Sequence, residues 1–375
     1  MTLEILVIVS CVLASVPAIN VAVNLLFYRP APRVARHKKE MSRVSVLIPA
    51  RDEESNIHHA ACRVLSNGFS DLELIVIDDD SSDRTAELVT ELTDQDPRVR
   101  LLSAPSLPDD WGGKPHSCFT GAADAAGDYL LFIDADVALE PDAIERLVAF
   151  MDKTHSDLAS GIPRQVTATL TEKLAVPLIH FVLLGFLPMM GMRWTRWPAF
   201  SAGCGQLLIA RRRAYEETGG HRAIKASRHD GLQLPRAFRR QGLKTELFDA
   251  TNLASCRMYH DAHEVWSGFA KNATEAMASP SAIIPWTLLL IGGQVLPPLL
   301  LLTAWLTNAA SSTMTLAATA TAMVYFTRMV LVWRFEQSIL GGLLHPLGIL
   351  LIVAVQWFAL VRESLGRPLA WKGRT

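Results

Sequence analysis

Cysteine is scarce in this 375-residue sequence, and none of it is paired. Cys11, Cys62, Cys118, Cys204 and Cys256 stand singly, with no Cys-x-x-Cys repeat. That argues against a disulfide framework and a thiolate zinc site, and suits reduced thiols in a cytoplasmic domain. Net charge is almost absent too: 36 basic residues face 37 acidic ones, a balance of −1. No bulk basic footprint for nucleic acid exists. The N-terminus reads MTLE and lacks the basic n-region of a secretory signal. Neither an internal repeat nor a low-complexity linker interrupts the chain.

Apolar residues, by contrast, make up half of the chain, and mean hydropathy is +0.22. That is too apolar for an ordinary soluble enzyme, so the charged residues must be segregated into a soluble domain beside membrane segments. Residues 5–27 are long enough to span a bilayer, which makes 1–28 an N-terminal transmembrane anchor. Arg29, Arg33, Arg36, Lys38 and Lys39 follow it, and the positive-inside rule puts them in the cytoplasm. Residues 43–275 alternate β-rich runs such as VSVLIPA and LELIVID with helical patterns such as RTAELVTELTDQ, the pattern of a parallel sheet covered on both faces.

Within that domain, 174–192 is apolar but broken by Pro177 and Pro188, and RWTRW follows. It reads either as a helix lying in the membrane interface or as a buried helix of the soluble domain. A C-terminal membrane region covers 283–361, with apolar stretches at about 283–306, 314–333 and 339–361. The tail, 362–375, holds Arg362, Arg367, Lys372 and Arg374 and prefers the cytoplasm. Four full spans would carry it outside, so the pattern predicts two to three C-terminal spans.

Four stretches carry chemistry. VSVLIPARDEESNI runs a strand into a loop with Pro49, Ala50, Arg51 and Glu53, at the strand end where open α/β sheets bind ligands. LIVIDDDSSDRTAE ends a second strand in Asp78, Asp79 and Asp80, and helix capping explains Ser82 or Asp83 but not three successive carboxylates. DDWGGKPH sets Lys114 behind two glycines, and GDYLLFIDADV ends a strand in Asp134 and Asp136. Finally, SAGCGQ…SRHDGLQLPRAFRRQGL puts His229 and Asp230 just before a basic helix.

Each element is weak alone, but in this order and spacing they resemble the family 2 glycosyltransferases across roughly residues 43–275. The resemblance implies an α/β fold, GT-A (a Rossmann-like nucleotide-sugar-binding domain), here with transmembrane helices at the N- and C-termini. It implies that Pro49, Ala50, Glu53, Asp78 and Asp79 hold the nucleoside, and that Lys114 approaches the nucleotide. Asp134 and Asp136 would carry a divalent cation, Mg²⁺ or Mn²⁺, with Asp136 the direct ligand and Asp134 also on the donor. Asp230 would be the catalytic base. The family's usual acidic pair reads His229-Asp230 here, a departure at its first position.

The physical chemistry agrees with that assignment. A leaving diphosphate concentrates negative charge that a hard cation neutralises, and an acceptor hydroxyl needs a carboxylate to take its proton. The Gln-x-x-Arg-Trp helix of processive synthases is absent from CRMYHDAHEVWSGFAKNA, which argues against the alternative, a polysaccharide or lipid-linked sugar synthase. RMY…EVWSGFAKN and WKGR resemble a membrane-bound subgroup that includes carotenoid- and hopanoid-associated glycosyltransferases. The expectation is therefore an inverting hexosyltransferase. It would use a nucleotide-sugar donor, UDP-linked, and a lipid or isoprenoid acceptor. It would be a multi-pass inner-membrane protein with its catalytic domain in the cytoplasm.

Overall fold

The computed structural model describes residues 2–33 and 42–366. Arg36, Lys38, Lys39, Arg367, Lys372 and Arg374 lie outside the described residues. The chain opens with helix α1 (Thr2–Phe27). It continues through β1 (Val44–Ala50), α2 (Ile57–Leu65), β2 (Leu72–Asp78), α3 (Thr85–Gln95), β3 (Val99–Ser103), α4 (Gly113–Asp124), β4 (Tyr129–Ile133), β5 (Val137–Leu139), α5 (Ala143–Thr154) and β6 (Leu158–Gln165). Three short helices follow: α6 (Leu170–Ala175), α7 (Leu178–Phe186) and α8 (Met189–Trp194). Then come β7 (Leu207–Arg211), α9 (Arg212–Thr218), α10 (Asp230–Arg240), β8 (Thr245–Cys256) and α11 (Ala262–Ala273). The last part is helical: α12 (Ile283–Leu290), a π-helical turn at Ile291–Val295, α13 (Leu296–Leu306), α14 (Ser311–Arg334), α15 (Ile339–Leu343) and α16 (His345–Ser364).

The strands form one sheet in the order β3-β2-β1-β4-β7-β6-β8-β5. β3, β2, β1 and β4 are parallel, as their continuous apolar runs predict. β2 is buried at every position, because helices cover both faces and leave no side for polar residues. The sheet is nevertheless mixed, not all parallel: β7 runs antiparallel to β4 and β6, and β5 runs antiparallel to β8. The reason is the connection: α6, α7 and α8 turn the chain back at the end of β6 instead of crossing the sheet, so β7 re-enters in the opposite direction.

Segment 174–192 is broken into separate helices, with Pro177 and Pro188 as the residues just before α7 and α8. Leu178, Phe181, Leu184, Met189 and Met192 are buried. Asn24 near the end of α1 clamps this turn, its Nδ2 donating to the carbonyls of Leu184 and Leu187 at 2.7 Å each, while its Oδ1 accepts from Met189 N at 3.0 Å. The segment thus packs against α1, while Trp194 and Trp197 stay 70% and 67% exposed.

Among the described residues, four helical segments are long and apolar enough to cross a membrane: Leu3–Phe27, Ile283–Leu306, Ser311–Arg334 and His345–Ser364. α1 meets the π-helical turn closely, since a Cβ on Gly293 would sit 2.9 Å from the Leu13 carbonyl. α14 ends against the sheet domain, where Arg334 pairs with the buried Asp249 of β8 at 2.5 Å. The stretch after it stays there: Glu336 pairs with Arg164, and Gly341 abuts the Lys173 carbonyl. α16 starts deep in the bundle, where His345 meets Gln294 at 3.2 Å, and ends beside α11, where Phe358 packs edge-on to Trp266.

Candidate active site

The loops after β1 and β2 are laced together. Asp52 accepts from Ser82 N at 2.7 Å, and Glu53 N donates to Thr85 Oγ1 at 2.8 Å. Asp79 N donates to the Ala50 carbonyl at 2.8 Å, and Arg51 Nη1 donates to the Asp79 carbonyl at 2.6 Å. Asp83 accepts from Thr85 N at the start of α3, the local role that capping chemistry assigns it. These bonds hold two strand ends level with the end of β4, from which Asp134 and Asp136 emerge.

Lys114, on the first turn of α4, reaches across to both remaining acids. Its Nζ lies 2.6 Å from Asp134 Oδ1, 2.9 Å from Asp230 Oδ2 and 3.1 Å from the Gly205 carbonyl. The sequence resemblance assigned this lysine to the nucleotide; here it bridges Asp134 and the candidate base. Asp230 is the first residue of α10, buried, with Oδ1 accepting from Gly231 N at 2.7 Å. Gly205 makes room for it: a Cβ there would fall 2.1 Å from Asp230 Oδ1.

Burial favours the neutral form of each of these acids. For Asp230 the opposing charge of Lys114, with the histidines at 221 and 229, outweighs burial and brings it down to about 2. It is therefore ionised and able to take a proton. For Asp136, burial is reinforced by the charges of Asp134 and Glu53, and it is raised to about 7. Asp136 Oδ1 is also buried without a hydrogen-bond partner. A carboxylate so placed gains most from a cation. Among the described residues no three His, Cys, Asp or Glu side chains form a metal-holding cluster. Two carboxylates still fit Mg²⁺ or Mn²⁺, which commonly take one or two and complete their shells with phosphate and water.

These residues open into one cleft of about 980 Å³. Pro49, Glu53, Lys114, Asp134, Asp136 and Asp230 line one end. Ala50, Asp78 and Asp79 do not reach its wall; they lie buried beneath it at the ends of β1 and β2. The other end is apolar, lined by Ile179, Val182 and Phe186 of α7, Trp286 of α12, and Ile352 and Val355 of α16. Sequence reasoning missed the middle of the cleft. Gln206 bridges Gln165 and Cys256 there, and Glu275, behind the wall, holds the lining residue Arg228 by accepting from its backbone N at 2.6 Å. The glycines around Cys204 were the one available signal for Gln206; Glu275 had none.

A sheet covered on both faces, with acids gathered at its strand ends and helices at both termini able to cross a membrane, defines the GT-A class of nucleotide-sugar-binding domain. More particularly, residues 45–219, just under half of the chain, match the family model described as glycosyl transferase family 2. Among curated proteins, the 4,4'-diaponeurosporenoate glycosyltransferase of Staphylococcus haemolyticus strain JCSC1435 is 29% identical over 218 residues, which is 58% of this chain and 56% of that protein. The protein of the same name in Staphylococcus aureus strain USA300 is 26% identical over 259 residues, 65% of each chain. The match thus spans less than two thirds of either relative. Among solved structures, a mannosyltransferase from Pyrobaculum calidifontis in complex with GDP-Man and Mn²⁺ superposes with a TM-score of 0.58 at 17% identity, over 97% of this chain and 99% of that one. At that identity the likeness is one of fold.

Proposed function

We propose that the protein is a membrane-bound inverting glycosyltransferase that moves a sugar from a nucleotide-sugar donor, UDP-linked, to a lipid or isoprenoid acceptor at the cytoplasmic face of the inner membrane. The observation that carries this reading is the two-ended cleft. Its carboxylate end suits a cation and a diphosphate, and its apolar end, walled by α7, α12 and α16, suits a hydrocarbon chain. The curated relatives named for diaponeurosporenoate favour the same acceptor class.

In this reading Asp230 accepts the acceptor's proton as the acceptor oxygen attacks the anomeric carbon, and the bond to the nucleoside diphosphate breaks. Asp134 and Asp136 would hold a divalent cation, which stabilises the charge on the departing diphosphate. Lys114 keeps Asp230 ionised until the acceptor arrives. Pro49 and Glu53 shape the nucleoside end of the cleft, with Ala50, Asp78 and Asp79 supporting them from below.

The test is a donor screen on the detergent-solubilised full chain, reading nucleoside diphosphate release with and without isoprenoid acceptors. Release that rises with an apolar acceptor is expected. Release driven equally by water-soluble sugars would overturn the acceptor class.

A further inference from the structure

Among the described residues two arginines are fully buried, and they differ sharply. Arg239 is satisfied by the carbonyls of Trp197, Met192, Thr195 and Thr245 and by the Thr245 hydroxyl. Arg328 of α14 has one partner, Gln337 Oε1 at 2.5 Å, and its Nε and Nη2 have none. Among the described residues no carboxylate pairs with it; Asp249, which meets the end of the same helix, is engaged by Arg334. Arg328 stands six residues before Arg334, roughly 9 Å along the helix from the sheet domain. A guanidinium stays charged, and an unpaired charge at that depth in a membrane helix is costly.

Further unpartnered polar groups gather near it. Gln337 Nε2 contacts His180 Nδ1 at 3.3 Å, which leaves His180 Nε2 without a partner. His345 Nε2 meets Gln294 Oε1, which leaves His345 Nδ1 and Gln294 Nε2 without partners. All three residues are 1% exposed. The charge of Arg328 reaches both imidazoles. Phe335 stacks on His180 at 4.2 Å, and Phe181 lies edge-on to His345 at 4.7 Å, closing the surroundings with aromatic rings. His345 is also the first residue of the 20-residue α16, whose N-terminal dipole end favours negative charge.

We infer that Arg328, with the free Nε2–H of His180 and the Nε2 amide of Gln294, forms an anion-binding site inside the membrane-facing bundle, separate from the cleft. The ligand is a compact monovalent anion: either a small inorganic ion such as chloride, or the phosphate of an acidic lipid at headgroup depth. It would tie α14 to the bundle side of α7, whose opposite side lines the cleft, so the site braces the acceptor wall without touching the reacting groups.

The test reads stability, not transfer, and so stands apart from the proposed activity. The detergent-solubilised full chain is melted in sodium chloride and in sodium gluconate at equal ionic strength. In a second arm, the chain in gluconate is reconstituted with phosphatidylcholine alone or with added phosphatidylglycerol. A rise in the unfolding midpoint of about 2 °C or more is expected in at least one arm, and its identity names the source of the anion. Arg328→Met should abolish that rise and Arg328→Lys should retain part of it, which keeps the test informative if the methionine variant folds poorly. No anion dependence in either arm, or the same dependence in Arg328→Met, would overturn the site.

Discussion

At the residue scale the cleft turns on one lysine shared by two acids. Asp230→Asn keeps shape but removes the proton acceptor, so transfer should fall about 10²–10⁴-fold while donor affinity holds. Transfer and donor binding measured on one preparation decide this; transfer within a few-fold of wild type would make Asp230 only the start of α10. Asp136→Asn, or excess chelator, should likewise stop turnover without unfolding the protein, and full activity in chelator would refute the cation. Lys114→Met isolates the electrostatics. With the ammonium gone, only the histidines at 221 and 229 oppose burial at Asp230, which is raised, so the acid limb of the rate–pH profile should move up. An unmoved limb would separate Lys114 from the base. The sequence exposed the acids at 78, 134 and 136 because strand ends seldom gather carboxylates without cause, whereas Asp230 stood out only through the family resemblance. It could not reveal that Lys114 would join two of them, since residues 114, 134 and 230 meet only through the fold.

At the element scale, α6 shows how a short helix is fixed beside the cleft. Thr169 and Glu172 form a reciprocal capping box, and Glu172 also pairs with Arg257, a cleft residue, at 3.3 Å. Burial raises Glu172, but Arg257, Thr169 and the backbone N–H groups of Ala168 and Thr169 bring it down to about 2. Its folded value lies below the ordinary glutamate value of about 4.3, so its contribution is present above that pH and is lost as pH falls toward 2. Acid titration of the melting midpoint should therefore be shallower in Glu172→Gln than in wild type between about pH 4.5 and 2.5; identical slopes would show that the pair contributes nothing. The parallel strands and most helices were legible because their periods were clean. The direction of β7 was not, because it depends on where a proline-broken apolar segment turns, and Pro177 and Pro188 mark breaks without giving directions.

At the scale of the whole molecule, the charged tail and the count of apolar stretches conflict if every stretch crosses. The contacts offer a resolution: 335–364 leaves the sheet domain at Glu336, dips to Gln294, and returns to α11 at Phe358. On that path α1, α12–α13 and α14 would make three crossings, and α15–α16 would re-enter from the side it left. A reporter fused after Gly366 should consequently read on the same face as one fused after residue 42; opposite faces would mean that α16 crosses.

That last helix also sets an order of events during synthesis. The acids named at the donor end all precede residue 231 in the chain, whereas α16, which helps to close the apolar end, begins only at His345. A nascent chain can therefore complete the sheet, which ends with β8 at Cys256, before α16 has been made. If the proposed function holds, a product interrupted before His345 would lack part of the acceptor wall and should be inert toward a lipid acceptor.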